Sequence, residues 1–453
     1  MSDPAGTRTQ DPYIKSVMLY RLSYRIIANN RLANIVLIIL SPKKFYRCLK
    51  IPFYLYIMAG NELYGAEERR EIEDVLNTGV FFRFNHEAQR NNHWKAKSFE
   101  AEVKKQTGAE HALAVSNGSA AIMAALAASG IGTGDEVICP PFTYVATVEA
   151  ILMLGALPVF AEIDETLCLS ADGIRSVLTP KTKAVCLVHM CGGNARMDEI
   201  MELIHTKNLI LVEDAGQAYG STYQGRSVGC FGQAGAFSFD FFKIATAGEG
   251  GVLVCNDLKT YQWADHYCDH GHSHLGHNRG METHPIIGFN FRISELHAAI
   301  GFAQTQRVPY ILTQNRKWKQ RLIQKLSVHP LFEFASLGDV SGDSATFLNL
   351  FLPDTPKAKA FVEALNAQGT GGFNYWYTNM YHFINQWDHI THLRTCSKLA
   401  IEVLGPPQDY KNLQLPKTQN IIGRLVSFGI RCTWSEAEVD ALAESIVKAA
   451  KQL

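Results

Sequence analysis

Lys243 follows an apolar, strand-like run and precedes Gly248-Glu249-Gly250-Gly251. The amine of a lysine held in such a place can form a Schiff base with a carbonyl, the chemistry of pyridoxal phosphate (PLP) enzymes. Ser238, five residues earlier, offers a hydroxyl for a phosphate. Upstream, Ser116-Asn117-Gly118-Ser119-Ala120-Ala121 lies between a strand pattern and an alanine-rich helical pattern. Small residues there let backbone amides approach an anion, and the helix dipole favours phosphate. Glu213-Asp214-Ala215-Gly216-Gln217 closes the apolar run Leu209 to Val212. A carboxylate at the end of a buried strand needs a partner, and in a PLP enzyme that partner is the protonated pyridine nitrogen. Asp214 reads equally as a helix cap or a metal ligand. No His or Cys with metal-ligand spacing lies near it, so no metal is expected. Pro140-Pro141-Phe142-Thr143-Tyr144 places aromatics at another strand end, where a ring stacks on a flat cofactor or simply packs. Each element also has an ordinary structural reading, and their order along the chain carries more weight than any one of them.

Such residues need a scaffold that aligns strand ends. From about residue 97 the chain alternates strand and helix patterns. Strands are predicted at Ala112 to Ser116, Val137 to Cys139, Pro158 to Ile163, Ala184 to Met190 and Leu209 to Glu213. Helices are predicted at Ser119 to Leu126, Val148 to Met153 and Met197 to His205. This alternation reads as an α/β fold with a mostly parallel sheet covered on both faces, binding ligands along one edge. Residues 263–290, rich in His, Gly and Asn, read as a loop, and one long helical pattern runs from Glu295 to Leu326. Beyond it, a strand at Phe347 to Leu352, a helix at Lys357 to Ala367 and a final helix capped by Ser435 suggest a smaller domain. The expected division is a large PLP-binding domain over 59–325 and a small C-terminal α/β domain over 326–453.

The chain has 453 residues, 47% hydrophobic and 19% charged, with no formal net charge. Nothing in this balance calls for a nucleic-acid partner. Ten cysteines without CxxC pairs suit reduced thiols and a cytoplasmic enzyme. The first 58 residues differ from the rest, with nine Lys/Arg against two Asp. Their apolar runs are too short to span a bilayer, which takes about 20 residues. This segment reads as a translated non-coding leader ahead of an initiator at Met58, or as a membrane-surface anchor. The expectation is that it is not part of the enzyme and that no membrane is involved.

The chain resembles the DegT-type sugar aminotransferases, PLP enzymes of fold type I, over roughly residues 60–450. The likeness rests on Ser116 to Ala121, Gly134-Asp135-Glu136-Val137-Ile138, Pro158-Val159-Phe160, Val188-His189-Met190, Glu213 to Ala218, Phe237-Ser238-Phe239 and Gly248 to Gly251. It implies that Lys243 carries the cofactor and moves the proton, and that Asp214 pairs with the pyridine nitrogen. Gln217 would contact the ring oxygen, and Gly118, Ser119 and Ser238 would hold the phosphate. Tyr144 would stack on the ring, with Phe142 as the other candidate. Gly288-Phe289-Asn290-Phe291-Arg292 resembles a segment whose asparagine reaches a neighbouring subunit, which implies a homodimer with Asn290 acting in trans. Ser119 stands where the family usually has threonine, and the loop Gly193-Asn194-Ala195-Arg196 after His189 is a second departure. Relatives with histidine in place of the lysine dehydrate sugars, so Lys243 implies amino transfer, with glutamate as donor.

Segments Val80 to Phe84, Phe373 to Tyr377 and Tyr381 to Trp387 resemble the branch that aminates carbon 8 of the acidic sugar 3-deoxy-manno-octulosonate (Kdo), a lipopolysaccharide component. Arg83, His272, His274 and Arg279 would then anchor the sugar carboxylate. A nucleotide-linked keto sugar is the alternative acceptor. A non-catalytic PLP-binding regulator is the alternative of another class.

Overall fold

The computed structural model describes residues 59–276 and 278–453; the leader or anchor reading of residues 1–58 lies outside them. Seven strands form the larger sheet: β1 (His111–Val115), β2 (Glu136–Cys139), β3 (Leu157–Phe160), β4 (Thr182–Val188), β5 (Ile210–Asp214), β6 (Ala234–Ser238) and β7 (Gly251–Cys255). Their order is β1-β7-β6-β5-β4-β2-β3. The neighbours β3/β2, β2/β4, β4/β5 and β5/β6 are parallel. Strand β7 runs antiparallel to both β6 and β1. Strand β1 therefore shares the direction of the parallel strands, and the carboxyl ends of six strands open on one edge. The strands are buried nearly throughout and rich in Val, Ile, Leu and Ala, as a sheet covered on both faces requires.

Two helices begin at that edge: α1 (Gly118–Ala128) after β1 and α2 (Ala146–Met153) after β2. Asn117 caps α1 by accepting from the Ala120 N–H at 2.8 Å. Both helices are apolar on most sides because they are packed against the sheet and against each other.

The strand–helix order matches the sequence pattern closely from β1 to β5. Three segments differ. The helix Leu258–Cys268 extends into the stretch expected as loop from residue 263. Its buried stripe of Thr260, Ala264 and Cys268 repeats every four residues, but Tyr, Trp and His between them hide it. The long helical pattern from Glu295 to Leu326 is two helices, Glu295–Thr305 and Val308–Leu326. Pro309 sits in the first turn of the second, where its missing N–H costs nothing. Strand β7 ends at Cys255, whose apolar run reads as strand-like, but its place between β1 and β6 is not legible in the sequence.

A second, four-stranded antiparallel sheet lies in the C-terminal part, in the order β8-β9-β11-β10, with β8 (Glu333–Phe334), β9 (Phe347–Phe351), β10 (Phe373–Tyr375) and β11 (Leu425–Gly429). Ser435 caps the last helix, Glu436–Ala450, in a capping box with Glu438. Trp318, Leu322 and Leu326 of the helix Val308–Leu326 pack into the core of this smaller sheet. A boundary at 325/326 is a proposal, since that helix serves both parts.

Candidate active site

At the carboxyl edge of the large sheet a cavity of about 810 Å³ opens. Gly118, Ser119, Tyr144, Asp214, Gln217, Ser238 and Lys243 all line it. These seven residues come from four strand ends, those of β1, β2, β5 and β6, and are far apart in sequence.

Strand β7 explains how the anion turn meets Ser238. Gly251 pairs with Val115 on one side and with Ser238 on the other. A Cβ on Gly251 would lie 2.2 Å from the Asn117 carbonyl oxygen, so only glycine permits this approach. Gly118 is equally constrained: a Cβ there would lie 2.6 Å from Ser238 Cβ. The start of α1, with its unpaired first amides and positive dipole end, thus sits directly against a serine hydroxyl. That donor set fits a phosphate dianion.

Alternation along β5 separates two adjacent carboxylates. Glu213 is sealed away from the cavity, accepting from the N–H groups of Gly229 (2.8 Å), Phe231 (2.6 Å) and Gly232 (2.7 Å) and contacting His189 Nε2 (3.1 Å). Asp214 lies on the cavity side. Its Oδ1 accepts from the Gly216 N–H (3.0 Å) and its Oδ2 from the Thr147 hydroxyl (2.6 Å). Burial pushes the Asp214 carboxyl above the usual range, while Thr147, the Gly216 amide, Lys243 and His189 pull it back. An acid held by such opposing influences suits pairing with a cationic ring nitrogen. Gln217 Oε1 accepts from the Cys191 N–H at 3.1 Å, which leaves the NH2 end of the amide for a ring oxygen.

Tyr144 reaches the cavity and is 45% exposed; Phe142 is fully buried, its ring edge-on to Trp376. Of the two aromatics, Tyr144 is therefore the one placed to meet a cofactor, and Phe142 belongs to the core. The cavity is completed by residues that sequence reasoning did not assign a role: Trp376, Asn379, Tyr381 and His382 from one segment, with Thr143, Asp240, Phe242 and Glu249. That segment is fastened to the end of β2 by Thr143 N–H to His382 O (3.0 Å), Val145 N–H to Tyr381 O (3.0 Å) and Ile384 N–H to Pro141 O (2.9 Å). Burial, then the Lys243 charge, lowers His382 to about 3, so its ring is neutral at physiological pH.

The proposed carboxylate anchors lie elsewhere. Arg83 is buried, donating to Glu100 (2.7 Å) and the Ala114 carbonyl (2.5 Å). His274 bridges Asp265 (2.5 Å) and Asp269 (2.8 Å), and Arg279 grips Asp269 with two bonds (2.6 and 2.9 Å). His272 Nδ1 lies 3.1 Å from Glu282. None of the four lines the cavity. Isolated cations look alike in sequence whether they bind a ligand or a distant carboxylate. Asp265, His266 and His274 bring possible ligand atoms within 4.8 Å of one another, but both His274 ring nitrogens already serve carboxylates. Asn290 is exposed and outside the cavity, its Oδ1 accepting from the Arg292 N–H at 3.4 Å.

Residues 64–447 match the DegT/DnrJ/EryC1/StrS aminotransferase family, and the chain belongs to it. It is 39% identical over 238 residues to GDP-perosamine synthase of Escherichia coli O157:H7. That match covers 51% of this chain and 64% of the relative, under two thirds of the relative's length. Among solved structures, an aminotransferase from Psychrobacter cryohalolentis superposes with a TM-score of 0.74 at 26% identity, covering 86% of this chain and 98% of that one. The E. coli GDP-4-keto-6-deoxy-D-mannose-3-dehydratase, solved with bound hydrated PLP, gives a TM-score of 0.71 over 87% of this chain and 99% of that one. Its 22% identity makes the likeness one of fold. The architecture is therefore the fold-type-I α/β arrangement expected, and the cavity residues fit PLP.

Proposed function

We propose that the chain is a PLP-dependent aminotransferase that moves an amino group from an amino acid, L-glutamate, to the carbonyl of a nucleotide-linked keto sugar. The observation that carries this is the convergence of Lys243, Asp214, Gln217, Ser238 and the turn 117–119 on one cavity. When bound there, PLP supplies an aldehyde for amines and a ring that withdraws electrons. The chain's residues do the rest. Asp214 keeps the ring nitrogen protonated, the turn and Ser238 hold the phosphate, and Tyr144 covers the ring. The Lys243 amine would hold the cofactor and, when free, would take up and return a proton. Lysine at this position favours amino transfer over dehydration.

The acceptor reading follows the name of the E. coli relative, which is named for making a GDP-linked product. The Kdo reading loses the support that Arg83, His272, His274 and Arg279 were expected to give it, because each of them is turned to a carboxylate within the chain and away from the cavity. The discriminating assay offers GDP- or UDP-linked amino sugars with 2-oxoglutarate beside 8-amino-Kdo with 2-oxoglutarate. Turnover of a nucleotide-linked sugar alone supports the proposal; turnover of 8-amino-Kdo alone overturns it. Absence of transamination with every pair would favour the regulatory reading.

The homodimer belongs to the same proposal. Asn290 is exposed, and the stretch of chain before it carries the exposed side chains Leu275, Met281, Ile287 and Phe289, at 80%, 81%, 91% and 58%. Exposed apolar side chains of this size suit cover by a second copy. No described helix is long and apolar enough to cross a membrane, and eight of the nine described cysteines are buried and unpaired, which suits the cytoplasm.

A further inference from the structure

We propose that Thr147 is a positioning residue for the cofactor, its hydroxyl holding the Asp214 carboxylate ionised and aimed at the ring nitrogen. This rests on the reading of the cavity as a PLP site. Thr147 is fully buried in the first turn of α2, and its Oγ1 has three oxygen neighbours: Asp214 Oδ2 at 2.6 Å, Thr143 Oγ1 at 2.7 Å and the Tyr144 carbonyl at 3.2 Å. A hydroxyl has one proton to give. An ionised carboxylate only accepts, so the Thr147 proton goes to Asp214 and its lone pair takes the proton of Thr143, itself fully buried. With the Gly216 N–H on the other oxygen, both carboxylate oxygens have a donor.

A protonated Asp214 would reverse the chain. It would donate to Thr147, which would turn its own proton to the Tyr144 carbonyl. The two arrangements share the same heavy atoms, and Thr147 adapts to the first at short range. Tyr144 lies three residues before Thr147, just ahead of α2, and its carbonyl lies 3.2 Å from the Thr147 hydroxyl, so the residue that would cover the ring and the residue that would fix its acid are braced together.

The charged and titratable groups around Asp214 come from several elements. Lys243 and His189 favour its ionised form. Cys186 on β4 has its thiol pushed well up by burial and then by Asp214, and stays neutral. Asp240, Glu249, Tyr144 and neutral His382 stand on the other cavity walls. Among these, Thr147 is the side chain in direct contact with the carboxylate.

The test compares Thr147→Val, which keeps the volume and loses the hydroxyl, with Thr147→Ser, which keeps the hydroxyl. PLP is titrated into the cofactor-free full chain at a series of pH values, and the dissociation constant is read from cofactor absorbance. Thr147→Val should weaken binding about tenfold or more. The loss should grow as pH falls, because Asp214 without its donor protonates at higher pH. Thr147→Ser should stay within about threefold of wild type. Should Thr147→Val not fold, Thr143→Val, which strips the donor from Thr147, should move the pH profile in the same direction by less. Wild-type binding by Thr147→Val overturns the proposal. So does a loss equal at every pH and shared by Thr147→Ser, which would mark packing alone. If the wild-type chain binds no PLP, the cofactor reading itself fails, and this proposal with it.

Discussion

Gly118 and Ser238 touch: a Cβ on the glycine would lie 2.6 Å from Ser238 Cβ and 2.8 Å from its Oγ. The contact joins the start of α1 to the end of β6, the two parts of the proposed phosphate cradle. Gly118→Ala should displace Ser238 and weaken PLP binding about tenfold or more. Gly132→Ala, at a site with nothing within 4 Å of the added carbon, should leave binding unchanged. Equilibrium titration of the two variants decides between the cradle and an incidental contact.

Asp214→Asn removes the charge that, on the proposed reading, keeps the ring nitrogen protonated. PLP affinity should fall about ten- to a hundredfold. Turnover at saturating PLP should fall as well, because a neutral ring is a poorer electron sink. Single-turnover amino transfer from glutamate, followed by cofactor absorbance, measures the second effect separately.

The correction at Arg83 has a consequence for stability. Its guanidinium and Glu100 are both buried, and the Glu100 pair, working against burial, holds Arg83 above its ordinary range. Arg83→Met leaves Glu100 buried without its cation and should destabilise the fold by about 3–5 kcal/mol in denaturant unfolding. The folded fraction should keep the wild-type KM for the sugar within about twofold. A large rise in KM with little loss of stability would restore Arg83 as a sugar anchor.

His274 gives a pH signature. Against the cost of burial, Asp265 and Asp269 raise it to about 9, above the ordinary histidine value of about 6.5. The folded chain therefore keeps this proton where the unfolded chain has lost it. The stabilising contribution is complete below about pH 6.5 and is lost as pH rises through about 9. Relative to His274→Asn, the wild-type chain should be more stable by about 1–3 kcal/mol at pH 6, with the gap closing near pH 10. Unfolding midpoints at the two pH values check it.

The parts of the site legible in the sequence were those that sit at strand ends. Asp214 ends an apolar run, Gly118 and Ser119 stand between a strand and a helix, and Lys243 follows another run, so local pattern alone located them. Trp376, Asn379, Tyr381 and His382 enter the cavity through backbone bonds to residues 141–145, more than two hundred positions away, and no local pattern records such a pairing. Thr147 was hidden for a different reason: a threonine in the first turn of an apolar helix looks like an ordinary helix residue. The start and sheet position of β7 escaped notice because its glycine-rich beginning reads as a turn, although that glycine is what lets the strand pass between Val115 and Ser238. The cations were misread because their partners, Glu100, Asp265, Asp269 and Glu282, are recognisable only in three dimensions.

Borohydride reduction of the PLP-loaded chain, followed by peptide mass mapping, tests the central claim most directly, since reduction fixes the cofactor to the lysine that carries it. The account predicts one pyridoxyl-phosphate adduct per chain, on Lys243, absent from Lys243→Ala. An adduct on another lysine, or an unchanged adduct and amino-transfer activity in Lys243→Ala, would contradict it.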